Sequence, residues 1–255
     1  TFLLLRFVLV VALMLALSLA MRAAWPRTLK QLAHVAVAGI LMQAGYLGGV
    51  FCSINLGMSA GVSALIVGIQ PILTAFASAP LFGERLRAQQ WLGLVMGFGG
   101  VILVVLGRSA LSGITPATLA LSVLALVSVT AGTLYQKRYC GTVDLRAGSV
   151  IQFSAAGLVL LPLALAFETL QVRWTGEFVL TLVWLVFVLS IGAISLLYVL
   201  IRKGAATTVA SFFYLVPPCT AVLAYLMFNE TLSTMAMAGM ALAAIGVALV
   251  VYRRQ

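Results

Sequence analysis

The sequence predicts an all-α polytopic membrane protein, an inverted repeat of five-helix units with nine helices in this chain. Three observations predict it. Hydrophobic residues make up 64% of the 255 and charged residues 8%, with mean hydropathy +1.20. Soluble domains sit near about 45–50% apolar and about 25% charged, so the bilayer interior is the environment that tolerates this composition. The apolar residues fall in runs of bilayer-spanning length separated by short charged loops. Finally, the chain matches itself when shifted by 146 residues. Fibrous, disordered and disulfide-rich classes are excluded at once. Five acids and one histidine leave little for water-borne catalysis.

The spans lie at about 2–20, 32–54, 60–82, 89–107, 115–136, 147–167, 178–201, 206–228 and 234–252. Between Gln31 and Gly83, 53 residues pass without Asp, Glu, Lys or Arg, enough for two helices of about 20 residues and a turn. No run shows the polar/apolar alternation of an outer-membrane barrel. Thr1–Phe2 lacks the cationic start of a signal peptide.

Of the 15 Lys and Arg, 12 fall on one set of alternating loops and 2 on the other, with Arg6 inside the first span. That asymmetry follows the positive-inside rule. It accounts for the +10 net charge without nucleic acid, and it predicts a cytoplasmic C-terminus.

The 146-residue shift superimposes Pro71 on Pro217, Thr74 on Thr220, Glu84 on Glu230, Gly93 on Gly239 and Gly100 on Gly246, with 14 identities in the 47 positions 59–105. It also pairs Arg6–Phe7 with Gln152–Phe153. The span at 115–136 then has no partner in the first copy. The expectation is a first repeat at 1–106 lacking its first helix and a second, inverted repeat at 107–255. An odd number of spans per repeat inverts the copies, a plan common in secondary transporters.

Ser59–Leu65, Gln70-Pro71-Ile72-Leu73-Thr74-Ala75, Gly83-Glu84-Arg85-Leu86 and Gln90-Trp91-Leu92-Gly93 resemble the EamA-type family of the drug/metabolite transporter superfamily. In the second copy Gly204-Ala205-Ala206, Ser211–Pro218, Asn229-Glu230-Thr231-Leu232, Gly239 and Gly246 do the same, and Arg6-Phe7 resembles the family's second helix. The resemblance covers essentially the whole chain. It implies ten helices in two inverted halves around a central cavity, and members that move amino acids, other metabolites or drugs, often outward. The chain departs from the family by lacking the first helix.

No carboxylate sits deep in a span, which argues against a carboxylate proton or sodium relay. The span at 60–82 carries Ser63, Gln70, Thr74 and Ser78 on one face. Pro71 removes a backbone hydrogen bond beside Gln70 and can kink the helix. The equivalent span carries Thr207, Ser211, Tyr214 and Pro218 along one face, with Pro217–Pro218 mirroring Pro71. Gln43 and Tyr46 on 32–54, and Tyr198 with Trp184 and Ser195 on 178–201, are the remaining polar and aromatic candidates. The expected substrate-binding residues are therefore Gln43, Tyr46, Gln70, Thr74, Tyr198 and Tyr214, lining one cavity near the midplane, with Pro71, Pro217 and Pro218 as hinges. The bland alternatives are helix–helix hydrogen bonds, static bends and interfacial anchoring.

Arg6, about five residues inside its span, is shallow enough to snorkel to headgroups; contact with a solute carboxylate is the alternative. His34 reads as interfacial. Glu84 and Glu230 precede helices and read as caps. Gly93 and Gly97 form a small-xxx-small pair that suits packing within the monomer, echoed by Gly239 and Ala243. Cys52, Cys140 and Cys219 are widely separated, so neither a metal site nor a disulfide framework is indicated.

The sequence thus reads as a multi-pass inner-membrane secondary transporter that exports amino acids or similar metabolites, with a small-molecule solute and the lipid bilayer as partners. No cofactor, metal or nucleic acid is called for, and the oligomer is a monomer or homodimer. Nucleosides or cationic drugs are the alternative solutes. A receptor or structural membrane protein would not require paired helix breaks. An intramembrane enzyme would need a nucleophile and base, or metal ligands, at depth.

Overall fold

A computed structural model describes residues 1–84, 86–106, 113–216, 218–219, 222 and 233–251. Among these residues, eight helices are long and apolar enough to cross a membrane. We label them α1 (Phe2–Ala20), α2 (Leu29–Asn55), α3 (Ala60–Phe82), α4 (Ala88–Leu106), α5 (Pro116–Tyr139), α6 (Leu145–Phe167) and α7 (Gly176–Lys203), followed by a shorter apolar helix, α8 (Ala206–Leu215), and then α9 (Thr234–Val251). The hydropathy-based spans fall on these helices. The expected 206–228 span is described only in part, and Pro217 lies outside the described residues.

Side-chain caps set several starts. The Thr28 hydroxyl accepts from Gln31 N at 3.2 Å, Ser59 from Val62 N at 3.3 Å, and Thr175 from Phe178 N at 3.2 Å. Each satisfies one of the N–H groups that an α-helix leaves free in its first turn. Gly83 closes α3 with φ 68, a left-handed conformation that glycine adopts without a Cβ penalty.

Four helices are not regular. In α2, Ile40–Gly48 is π-helical, and in α7, Leu185–Ala193 is π-helical. Shifted by 146 residues, the first stretch falls one residue from the second. α3 is interrupted at Gly68–Ile69 and resumes at Gln70–Pro71. The counterpart of that break, Phe212–Leu215, is a 3-10 turn.

The chain forms two compact units. The first comprises Thr1–Gly48 and Ala131–Lys203. Its core holds Phe7, Val10, Met14, Ala44, Val150, Phe153, Ala156, Leu182 and Val186. The repeat mates Phe7 and Phe153 meet edge to face, with centroids 5.3 Å apart. α2 comes so close to α6 that a Cβ on Gly39 would lie 2.4 Å from Gln152 Cα.

The second unit comprises Gly49–Thr130 and Gly204–Gln255. Its main seam joins α4 and α9. A Cβ on Gly93 would lie 2.6 Å from the Gly246 carbonyl oxygen, and one on Gly246 would lie 2.6 Å from that of Gly93. Likewise a Cβ on Gly100 would lie 2.6 Å from the Gly239 oxygen, and one on Gly239 2.7 Å from that of Gly100. These backbones approach as closely as hydrogen atoms permit, the use that small residues have in membrane helices. Ala75, Leu94, Val101, Val105, Tyr214, Val247 and Val250 fill the surrounding core.

Candidate functional site

In the first unit, buried amides and phenols converge where α2, α5, α6 and α7 meet. Gln43 lies in the π-helical stretch of α2 and is 2% exposed. Its Nε2 donates to the Tyr198 hydroxyl on α7 at 3.1 Å. The Gln43 Oε1 has no hydrogen-bond partner among the described residues. Tyr46, farther along the same stretch, is half-buried. Gln152 on α6 donates through Nε2 to Gln136 Oε1 on α5 at 2.8 Å. A cleft of about 190 Å³ is lined by Gln136, Gln152, Tyr198, Arg202 and Cys140, among others. Its truly free interior takes about one water molecule.

The surroundings of that cleft are basic and aromatic. Arg202 Nη2 donates to the carbonyls of Cys140, at 3.3 Å, and Val143, placing positive charge where α5 ends. Burial pushes the Cys140 thiol up to about 11, with Arg202 opposing, so it stays neutral at physiological pH. Asp144 accepts from the Arg146 backbone N–H at 2.9 Å and from its guanidinium at 2.9 and 3.1 Å. Those bonds hold its carboxyl below the ordinary value. His34 Nδ1 lies 2.7 Å from the Tyr135 hydroxyl, and its ring stacks on Tyr139 at 4.4 Å.

In the second unit, Gln70, Thr74 and Ser78 are all fully buried on α3. The Ser78 and Thr207 hydroxyls lie 3.1 Å apart, linking α3 to α8. The Tyr214 ring lies over Gly97, where a Cβ would come 2.3 Å from its Cδ2. Neither the Tyr214 hydroxyl nor Thr74 Oγ1 has a hydrogen-bond partner among the described residues. Pro71 and Pro218 are buried.

The structure therefore brings Gln43 and Tyr198 into direct contact and buries Gln70, Thr74 and Tyr214, while Trp184 is 61% exposed and faces outward. Glu84 caps a helix far along the chain. Its Oε1 accepts from Ala206 N at 3.1 Å, at the start of α8. Glu230 lies outside the described residues. Sequence reasoning missed the Gln136–Gln152 pair as a site feature. The repeat register had signalled Gln152 by setting it opposite Arg6. Among the described residues, no three His, Cys, Asp or Glu side chains gather as a metal site.

Tyr198→Phe is expected to destabilise the protein by about 1–3 kcal/mol, because it strips a buried amide of its phenol partner. The melting midpoint in detergent checks this. Gln43→Leu combined with Tyr198→Phe should recover most of the loss; a Tyr198→Phe protein melting like the wild type would refute the coupling.

A polytopic helical membrane protein with irregular helices around buried, incompletely bonded amides and hydroxyls has the make-up of a solute-handling membrane protein. The model of the EamA-like transporter family matches residues 1–106 and 116–252, and the chain belongs to that family. It is 29% identical over 196 residues to the "Uncharacterized transporter YvbV" of Bacillus subtilis, covering 76% of this chain and 63% of that protein. It is 28% identical over 205 residues to the "Uncharacterized inner membrane transporter YedA" of Escherichia coli, covering 80% and 66%. The matched stretches thus span just under two thirds of the length of both relatives. A "Probable amino-acid metabolite efflux pump" of Salmonella typhimurium is 26% identical over 225 residues, covering 84% and 75%. A crystal structure superposes with a TM-score of 0.80 over 98% of this chain and 86% of its own, at 23% identity, which is a likeness of fold alone.

Proposed function

We propose that the chain performs secondary transport, exporting amino acids or similar small metabolites across a bacterial inner membrane by alternating access. Membership of a transporter family carries this reading, and the relatives named as amino-acid metabolite efflux pumps favour the solute class. The repeats are 1–106 and 107–255. The matched π-helical stretches, the matched breaks in α3 and α8, and the reciprocal glycine contacts support that division. Gln43, Tyr46 and Tyr198 in the first unit, and Gln70, Thr74 and Tyr214 in the second, contact the solute. Pro71 and Pro218, with Pro217, act as hinges. The basic loops face the cytoplasm together with the C-terminus. The protein works as a monomer or homodimer.

A panel of amino acids, nucleosides and cationic drugs, tested on purified protein in liposomes with and without a pH gradient, tests the proposal. Among the described residues, the only carboxylate within a spanning helix is Glu177, in the first turn of α7. Flux is therefore expected to survive a protonophore. Complete loss of flux on collapsing the proton gradient would contradict this and direct attention to His34.

A further inference from the structure

Arg6 sits five residues into α1, yet it is 0% exposed. It does not reach out to headgroups. Its Nε donates to the Ser190 hydroxyl on the π-helical stretch of α7 at 2.9 Å. Ser190 in turn donates to the Leu185 carbonyl at 3.0 Å, a bond five residues long. That contact leaves the Ser190 oxygen as an acceptor for Arg6. The Nη2 group has no hydrogen-bond partner among the described residues. No described acid forms an ion pair with Arg6. Asp144 is engaged by Arg146 and Glu84 by Ala206 N. The chain neighbour of Arg6, Phe7, is buried in an apolar core with Phe153 and Val186.

A cation withdrawn from water without a counter-charge is costly, and an intramembrane arginine ordinarily pairs or faces a pathway. We propose that Arg6 is the docking point for the carboxylate of the transported solute, with Ser190 as its positioning residue. This inference rests on the transport reading above and narrows the solute to an α-amino acid or another small apolar carboxylate. A guanidinium supplies the planar N–H donors that carboxylates accept, and an apolar setting strengthens the pairing. The empty donor would be filled by cargo, so no acid of the protein itself competes for it.

The test uses the full chain in nanodiscs and liposomes. Leucine and threonine are compared with leucinamide and threoninamide, read as ligand-induced shifts in melting midpoint and as flux. The wild type should bind the acids more tightly than the amides. Arg6→Gln should weaken acid binding about 10- to 100-fold, the size of a lost charged hydrogen bond, and leave the amides unchanged. Arg6→Lys should retain part of the discrimination. Arg6→Met, unbranched and suited to the membrane, serves if the glutamine variant does not fold. An Arg6→Gln or Arg6→Met protein that keeps the wild-type preference for acids overturns the proposal. So does a wild type that binds amides or nucleosides as tightly as acids, and in that case the transport reading survives. A wild type that moves no solute at all rejects the transport reading, and this inference with it.

Discussion

Gly100→Val is expected to prevent the second unit from assembling. A Cβ at Gly100 would lie 2.4 Å from Ala243 N, 2.6 Å from Gly239 O and 2.8 Å from Ala243 Cα. All three are backbone atoms that cannot rotate aside. α4 and α9 would have to separate, and the cavity so opened would run along Leu94, Val101 and Val247 in the core. Overpacking costs about 1–3 kcal/mol even where side chains can yield, and here only helices can. The adjacent Gly99 is the internal control: its Cβ would meet only Leu242 Cδ2, at 3.7 Å. Gly99→Ala should therefore leave the melting midpoint unchanged or raise it slightly, since alanine favours the helix by up to about 1 kcal/mol. The yield of monodisperse protein and the melting midpoint decide the matter. Equal behaviour of the two variants would mean that the seam does not hold the unit together.

Gln70→Leu is expected to abolish most transport while leaving folding intact. Gln70 is fully buried and begins the second segment of α3, just beyond the break at Gly68–Ile69. Leucine nearly matches its volume and suits the membrane, so packing is kept and the cost is that of the amide's lost contacts, about 1–3 kcal/mol. What is lost is an amide at an interrupted helix, where a polar solute can be met. Pro71→Ala should instead change the rate of opening, because it restores the missing backbone donor. Liposome flux is the measurement, alongside a melting curve. A Gln70→Leu protein that transports normally would remove this residue from the solute-contacting set.

The position of that break shows how far the sequence could be read. Pro71 marks a weak point in α3, but the backbone gives way two to three residues earlier. The proline ring crowds the carbonyl one turn back, near Val67, so the irregularity precedes the residue that causes it. The apolar runs made the spans legible, and Lys and Arg made the loops legible. The π-helical stretches were not, because Ile40–Gly48 and Leu185–Ala193 contain no proline and no signal that separates them from ordinary helix. Side chains on these stretches find their partners far along the chain, Gln43 in Tyr198 and Ser190 in Arg6. The sequence leaves two readings of Arg6 open for a related reason. Depth along its own helix allowed it to snorkel, while the hydroxyl that holds it inward lies 184 residues away. Glu84 shows the same limit: its residue type gave the capping role, but which N–H it caps depends on tertiary structure.

The glycine seam has a further consequence. Gly93 meets Gly246, the counterpart of Gly100, and Gly100 meets Gly239, the counterpart of Gly93. Each contact is thus repeated with the roles exchanged, which is the defining property of a two-fold interface between identical subunits. A half-length polypeptide carrying this glycine pattern could make the same seam with a second copy of itself, provided that the second copy entered the bilayer upside down. The join is therefore one that two separate, oppositely inserted molecules could have made before a single chain covalently tied them.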